Sequence, residues 1–448
     1  MNPFTSMLLT FDPTRFYGRE NEIVAILQVV TARETSGHAI YGIRTIGKTT
    51  LLKFLKAPGG AMHRYERYIN AEFAAGAGRQ LLQVYISFHV FSAEDNLFSV
   101  LLENLIEELE DNVVLASNIS LPHWEDQLSR QEAINALKHI LREIHQYGVR
   151  VVFLLDDFEV PLQFLDEDDD RLLRTLSDVA CLIIATERPI SELRPDIGES
   201  SPLLGILRPE AIGLLTDDAA RDLMTGPVTP KEIFTREEQD FLISAAGKQP
   251  FLLITACELY YTMRREFPEI TTLVASGSSL IERQFIQRLM GLPHVYNVMY
   301  RIWLSLTRDE QTTLTHMMND QVQNTTLAAG LINKALVFMD FGRGKNRVYS
   351  LLFGEFIRQQ EQQNMPSLYD MADNLSPIDR KLFQYFLQRP NQVCTFDELL
   401  DAVWTDADKS KRALEAAVHR LRQHLEDSPE QISNVRGKGY KFISKAVV

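Results

Sequence analysis

Gly42-Ile-Arg-Thr-Ile-Gly47-Lys48-Thr49 fills every fixed position of the spacing G-x-x-x-x-G-K-[ST]. A short apolar run, His38–Tyr41, precedes it and a helix-forming run, Thr49–Leu55, follows, so the stretch lies between a strand and a helix. In that setting the glycines let backbone N–H groups curl around phosphate oxygens. The helix N-terminus adds the positive end of its dipole. Lys48 is placed to reach the β- and γ-phosphates, and the Thr49 hydroxyl to ligate Mg²⁺, with Thr50 next to it in the first helical turn. The expected ligands are ATP or ADP with Mg²⁺.

A phosphate loop needs an acid at the end of a neighbouring strand, and Val151-Val-Phe-Leu-Leu-Asp156-Asp157-Phe-Glu159 supplies one. The apolar run reads as a buried parallel strand that carries Asp156 to the sheet edge as a Mg²⁺ ligand. Asp157 is then placed to orient or deprotonate a water, and Glu159 competes for that role. A second apolar run, Leu182–Ala185, ends in Thr186-Glu-Arg188-Pro189, where Arg188 is a candidate γ-phosphate sensor. Strands alternating with helices at 22–33, 49–55, 97–109 and 129–146 predict an α/β P-loop NTPase with a parallel sheet. The acidic run Asp166–Asp170 reads as the charged first turn of a helix, not as a metal site. Beyond about residue 206 the strand runs fade, and 210–224 and 235–265 read as helices. Helices over 295–335 then lead to strand-like pieces at 336–341 and 346–351.

The 448 residues allow two to four domains, and 45% hydrophobic with 24% charged residues is ordinary globular composition. A formal charge of −14 argues against general nucleic-acid binding, but its distribution is uneven. Residues 375–448 hold 12 Lys+Arg against 10 Asp+Glu, whereas the rest holds 34 against 50. Three widely spaced cysteines suggest a reducing compartment. No apolar run approaches the ~20 residues that span a bilayer, so a cytoplasmic protein is expected, with no membrane partner.

Several motifs carry a resemblance. Phe16-Tyr-Gly18-Arg19-Glu20-Asn-Glu22 resembles the segment that precedes the phosphate loop in STAND-type and related AAA+ ATPases. The resemblance implies that Gly18 and Arg19 frame the adenine. Thr186-Glu-Arg188 is similar to the sensor of those families, and Gly247-Lys-Gln-Pro250 to their G-G-x-P motif, whose proline lies against the base. Residues 207–227 resemble their lid and 295–358 the winged helix that follows it. That winged helix commonly carries a histidine against ADP. Here the stretch reads Val348-Tyr-Ser-Leu-Leu-Phe-Gly, without one.

Residues 375–448 show helix-start signals at Ser376-Pro-Ile-Asp379 and Thr395-Phe-Asp-Glu398, a third helix over 409–425 and a hairpin over 432–443. Lys409, Lys411, Arg412, Arg420 and Arg422 fall on or beside the third helix, and Arg436, Lys438, Lys441 and Lys445 on or beside the hairpin. A helix fits a major groove, and basic residues release counterions from phosphates. Val418-His-Arg-Leu-Arg422 and Val435-Arg-Gly-Lys-Gly-Tyr-Lys-Phe442 look like the recognition helix and wing of OmpR/PhoB-type response regulators. Leu421, Tyr440 and Phe442 read as core within that fold.

The expected organisation is a P-loop domain (1–205), a helical lid (206–290), a winged helix (291–358), a linker (359–374) and a second, DNA-binding winged helix (375–448). The expected function is a slowly hydrolysing ATP switch that controls transcription through double-stranded DNA, self-associates on ATP binding and answers an unidentified inducer. The alternative is a DNA-stimulated AAA+ ATPase of the replication-initiator or transposition-regulator type.

Overall fold

The computed structural model describes residues 2–32, 36–69, 73, 80–92, 94–112, 115, 119, 128–194, 201–226, 228, 233–319, 325–340, 345–362, 375–389, 392–404, 410–425, 431–435 and 438–443. The first part of the chain forms α1 (Pro3–Leu9), α2 (Glu20–Val30), β1 (Gly37–Tyr41), α3 (Lys48–Lys56), β2 (Gln80–Ser87), α4 (Leu97–Glu110), α5 (Arg130–Gln146), β3 (Val149–Asp156), α6 (Glu167–Leu176), β4 (Ala180–Thr186) and β5 (Leu207–Ala211). Helices α7 (Asp217–Thr225), α8 (Arg236–Ala246) and α9 (Pro250–Glu266) follow.

The five strands form one parallel sheet in the order β2-β3-β4-β1-β5. Every residue of β3 and of β4 is buried, as their unbroken apolar runs require of strands covered on both faces. Helices α4 and α5 close one face through Leu101, Leu105, Leu137 and Leu141. A capping box of Ser129 and Glu132 starts α5, and one of Asp166 and Asp169 starts α6, which is the structural role expected of the acidic run.

Three expectations need correction. Residues 210–224 are not one helix: Leu207–Ala211 is the fifth strand, paired in register with β1, so the sheet runs past residue 205. Its sequence, Leu-Arg-Pro-Glu-Ala, has no apolar run because it is a short edge strand, where proline is tolerated and most side chains face water. Second, the strand that ends in Asp156 is not the neighbour of β1, because β4 lies between them. Helix α3 spans the gap by packing over β2 and β3. The stretch 235–265 also divides, into α8 and α9, at Gly247-Lys248-Gln249.

Contacts group the described chain into two units, one of residues Met1–Gln239, Lys248–Arg265 and Asn333–Ala335, the other of Asp240–Gly247, Glu266–Ile332 and Leu336–Val448. The second contains α10 (Ser279–Met290), α11 (Pro293–Leu304), α12 (Arg308–Met318), α13 (Thr325–Asn333), the antiparallel pair β6 (Val337–Asp340) and β7 (Lys345–Val348), and α14 (Leu351–Gln362). It ends with α15 (Pro377–Gln388), β8 (Val393–Thr395), α16 (Phe396–Val403), α17 (Lys411–His424), β9 (Gln431–Val435) and β10 (Gly439–Ile443). The last three strands form an antiparallel sheet in the order β8-β10-β9. Both helix-start signals act as read: Ser376 caps α15, and Thr395 with Glu398 forms a capping box on α16. Leu382, Phe383, Leu399, Leu414, Val418, Leu421, Tyr440 and Phe442 share one core, which makes this module a winged helix.

Candidate functional site

The loop Gly42–Gly47 joins β1 to α3. Gly47 caps the helix at φ 104°, a backbone that glycine adopts without strain. A Cβ on Gly42 would lie 2.7 Å from the Ile212 carbonyl oxygen. The Lys48 ammonium donates to the carbonyls of Gly42 at 2.6 Å and Ile43 at 3.3 Å. Burial pulls its pKa down, against the pull of Glu187, Glu159, Asp156 and Asp157, in that order. Four carboxylates therefore act on one lysine.

Asp156 is 1% exposed at the end of β3. It accepts a hydrogen bond from the Tyr85 hydroxyl at 2.9 Å. Burial raises its pKa most, with Asp157 adding to the rise and Thr49, Tyr85 and Lys48 opposing it. Asp157 follows in a left-handed conformation, φ 55°, and accepts from the Ser87 hydroxyl at 3.3 Å. Glu159 is different. Its pKa is pushed up to about 7, first by burial and next by the charge of Glu187, and its Oε2 is buried with no hydrogen-bond partner.

Arg19 precedes α2 at φ 71° and donates to the Ile46 carbonyl at 3.0 Å and to Glu22 at 3.1 Å, which ties the upstream segment to the phosphate loop. Gly18 lies against Ala219 of α7, so close that a Cβ would meet the alanine methyl at 2.6 Å. Pro250 is the first residue of α9, and Thr50 is exposed in the first turn of α3. Arg188 follows β4, where its carbonyl accepts from the Thr186 hydroxyl at 2.7 Å. Its guanidinium forms no ion pair among the described residues.

Four participants escaped the sequence reading. Gln249 donates to the Arg44 carbonyl at 3.2 Å and the Thr45 hydroxyl at 2.5 Å, and Arg44 forms an ion pair with Glu187. Gln249 and Glu187 each sit inside a quoted motif, at positions the motif leaves free. Tyr85 had only its place near the end of β2 to mark it.

These residues fit a magnesium nucleotide. The loop turns tightly where a Cβ would collide, and the Thr49 hydroxyl is near enough to Asp156 to lower its pKa, so both can offer hard oxygens. No group of three or more His, Cys, Asp or Glu side chains suited to a metal occurs among the described residues. A cation here would rest on this pair and on phosphate oxygens, as Mg²⁺ commonly does.

In the winged helix, the buried side chains Leu414, Val418 and Leu421 set one face of α17. Lys411, Arg412, Glu415, His419, Arg420 and Arg422 are exposed. Two of the cationic candidates are held within the module. Arg420 grips the buried Asp379 with two hydrogen bonds of 2.8 and 2.7 Å, and Arg422 donates to the Ile432 carbonyl at 2.8 Å. The Lys411 ammonium lies 4.4 Å from the centre of the Phe396 ring. Lys438 is exposed at the turn and Lys441 half-buried on β10. Lys409, Arg436 and Lys445 lie outside the described residues.

Comparison with known proteins bears first on this module. Residues 372–442 match the family model described as "Transcriptional regulatory protein, C terminal". The C-terminal module is similar to that domain. The phosphate regulon transcriptional regulatory protein PhoB of Klebsiella pneumoniae is 30% identical over 107 residues, 22% of this chain and 47% of that protein. The chain thus spans less than half the length of this curated relative. Among solved structures, Cdc6p from Pyrobaculum aerophilum aligns with a TM-score of 0.39 at 11% identity, covering 79% of this chain and 98% of that one. A STAND protein with a tetratricopeptide repeat sensor from Pyrococcus horikoshii aligns at 0.31 and 15%, covering 92% and 54%. The P-loop fold of the first part is read from its own sheet order and loop. No helix among the described residues is long and apolar enough to cross a membrane.

Proposed function

We propose that this chain is a cytoplasmic, nucleotide-responsive transcription regulator in which a P-loop ATPase module governs a DNA-binding winged helix. One observation carries the reading: a loop of complete phosphate-binding spacing, with the buried Asp156 at the end of β3 as its acid, occurs in the same chain as a module that matches transcriptional regulators. When bound, a magnesium triphosphate supplies the phosphoryl group whose presence or loss distinguishes two states. Lys48 and the loop N–H groups hold the phosphates, and Thr49 and Asp156 the cation. Glu159, with a pKa near neutrality, is suited to hold a proton from an attacking water, with Asp157 as the other candidate. Arg188 is available to an added anionic charge.

Differential affinity for triphosphate and diphosphate shifts the chain between a self-associating and a closed form. Association gathers several winged helices on repeated half-sites, which raises avidity without new contacts. Lys411, Arg412, Lys438 and Lys441 face phosphates and base edges. Selection of bound duplexes from a random pool, run with ATP and then ADP, tests this. An enriched motif that depends on the nucleotide supports it. Hydrolysis strongly stimulated by any duplex, with no enriched motif, favours a DNA-remodelling ATPase instead.

A further inference from the structure

The rim of the phosphate loop carries an ion pair that no motif specifies. Arg44, third residue of the loop, pairs with Glu187, which follows the last residue of β4. The loop backbone is braced at this point, because Gln249 donates to the Arg44 carbonyl and to the Thr45 hydroxyl. Glu187 is also the carboxylate that acts most strongly on Lys48 and the neighbouring charge that acts most strongly on Glu159. Two cations, Lys48 and Arg44, thus face four carboxylates, Glu187, Glu159, Asp156 and Asp157. Asp156 has a hydroxyl partner in Tyr85, and Glu159 is uncharged over part of the neutral range. Glu187 has neither, and it stands in its ion pair with Arg44 beside the lysine that is to meet the terminal phosphates.

We propose that Glu187 and Arg44 form an electrostatic gate that biases the site toward nucleoside diphosphate over triphosphate. The inference rests on the nucleotide-site reading above. A third phosphate adds negative charge close to Glu187, at a cost that a diphosphate avoids. Arg44 has two anionic partners available, Glu187 or the added phosphate, and only one guanidinium to give. Removal of the Glu187 charge therefore frees Arg44 and lifts the repulsion together. Both changes favour the triphosphate.

The test is equilibrium binding of Mg²⁺-ADP and of the Mg²⁺ complex of the non-hydrolysable imido analogue of ATP to the full chain. It compares wild type, Glu187→Gln, Glu187→Asp and Arg44→Gln. Glu187→Gln is expected to tighten the triphosphate analogue by about tenfold relative to ADP, the size of one close charge contact in a partly solvated site. Glu187→Asp keeps the charge and stays near the wild-type ratio. Arg44→Gln leaves Glu187 unpaired and moves the ratio the other way. If wild type binds both nucleotides and Glu187→Gln leaves the ratio within twofold, the gate is overturned and the site reading stands. If wild type binds neither, both are overturned. Should Glu187→Gln fail to fold, the opposite displacement in Arg44→Gln decides, and an unchanged ratio there also overturns the gate.

Discussion

Gln249 donates through Nε2 to the Thr45 hydroxyl at 2.5 Å, while its Oε1 accepts from the Leu252 amide at 2.7 Å. One buried amide thus caps α9 and braces the phosphate loop, whose Thr45 is held at φ 57°. The cap and the brace are separable. Gln249→Ala loses both and is expected to cost about 1–3 kcal/mol, as for a buried polar contact with its partners left behind. Gln249→Glu keeps the acceptor for Leu252 but cannot donate to the loop. It should retain more of the melting temperature while nucleotide affinity still falls. Thermal melts with nucleotide titrations of both variants check this, and equal losses in both properties would sink the idea of two roles.

Lys48→Ala removes the one ammonium at the centre of four carboxylates. Triphosphate affinity should drop by about a hundredfold or more, since a charge-assisted contact to phosphate is lost in a desolvated place. The fold should persist, because Lys48 spends its hydrogen bonds on loop carbonyls rather than on the core. Unchanged affinity in a folded variant contradicts the phosphate-loop assignment.

Glu159 makes stability depend on pH. Its pKa rises from 4.5 to about 7 on folding, so between those values the native state binds more protons than the unfolded chain. Stability is therefore lost as pH rises from about 4.5 to 7. The loss is at most about 3 kcal/mol at roughly 1.4 kcal/mol per pH unit. Glu159→Gln carries no such penalty. Its melting temperature should match wild type near pH 4 and exceed it at pH 8, and a constant difference across that range would refute the assignment.

The basic residues of the winged helix divide by what they already hold. Arg420→Met leaves the buried Asp379 without its two guanidinium bonds and should destabilise the module by about 1–2 kcal/mol, less than for a fully buried pair because Arg420 is half-exposed. Arg412→Ala touches no such partner. It should leave the melting temperature unchanged, weaken duplex binding and lower the slope of affinity against salt by about one charge. Salt titrations of both variants separate the two roles. Silence of Arg412→Ala and Lys438→Ala together would make this a protein-contact module.

What the sequence determined by itself was local. The spacing of Gly42, Gly47, Lys48 and Thr49 forced a phosphate-loop geometry, unbroken apolar runs placed β3 and β4 inside a parallel sheet, and side-chain caps at Ser376 and Thr395 started helices where expected. These rules act within a few residues, so a linear chain displays them. β5 was missed because a short edge strand has no apolar run to show. Tertiary structure alone decided that β4 would separate β1 from β3, that Arg420 would be given to Asp379, and that Gln249 would reach Thr45 from 204 residues away. Partners that distant meet only through the packing of whole elements, where strand order and a side chain's reach, not its type, choose the contact.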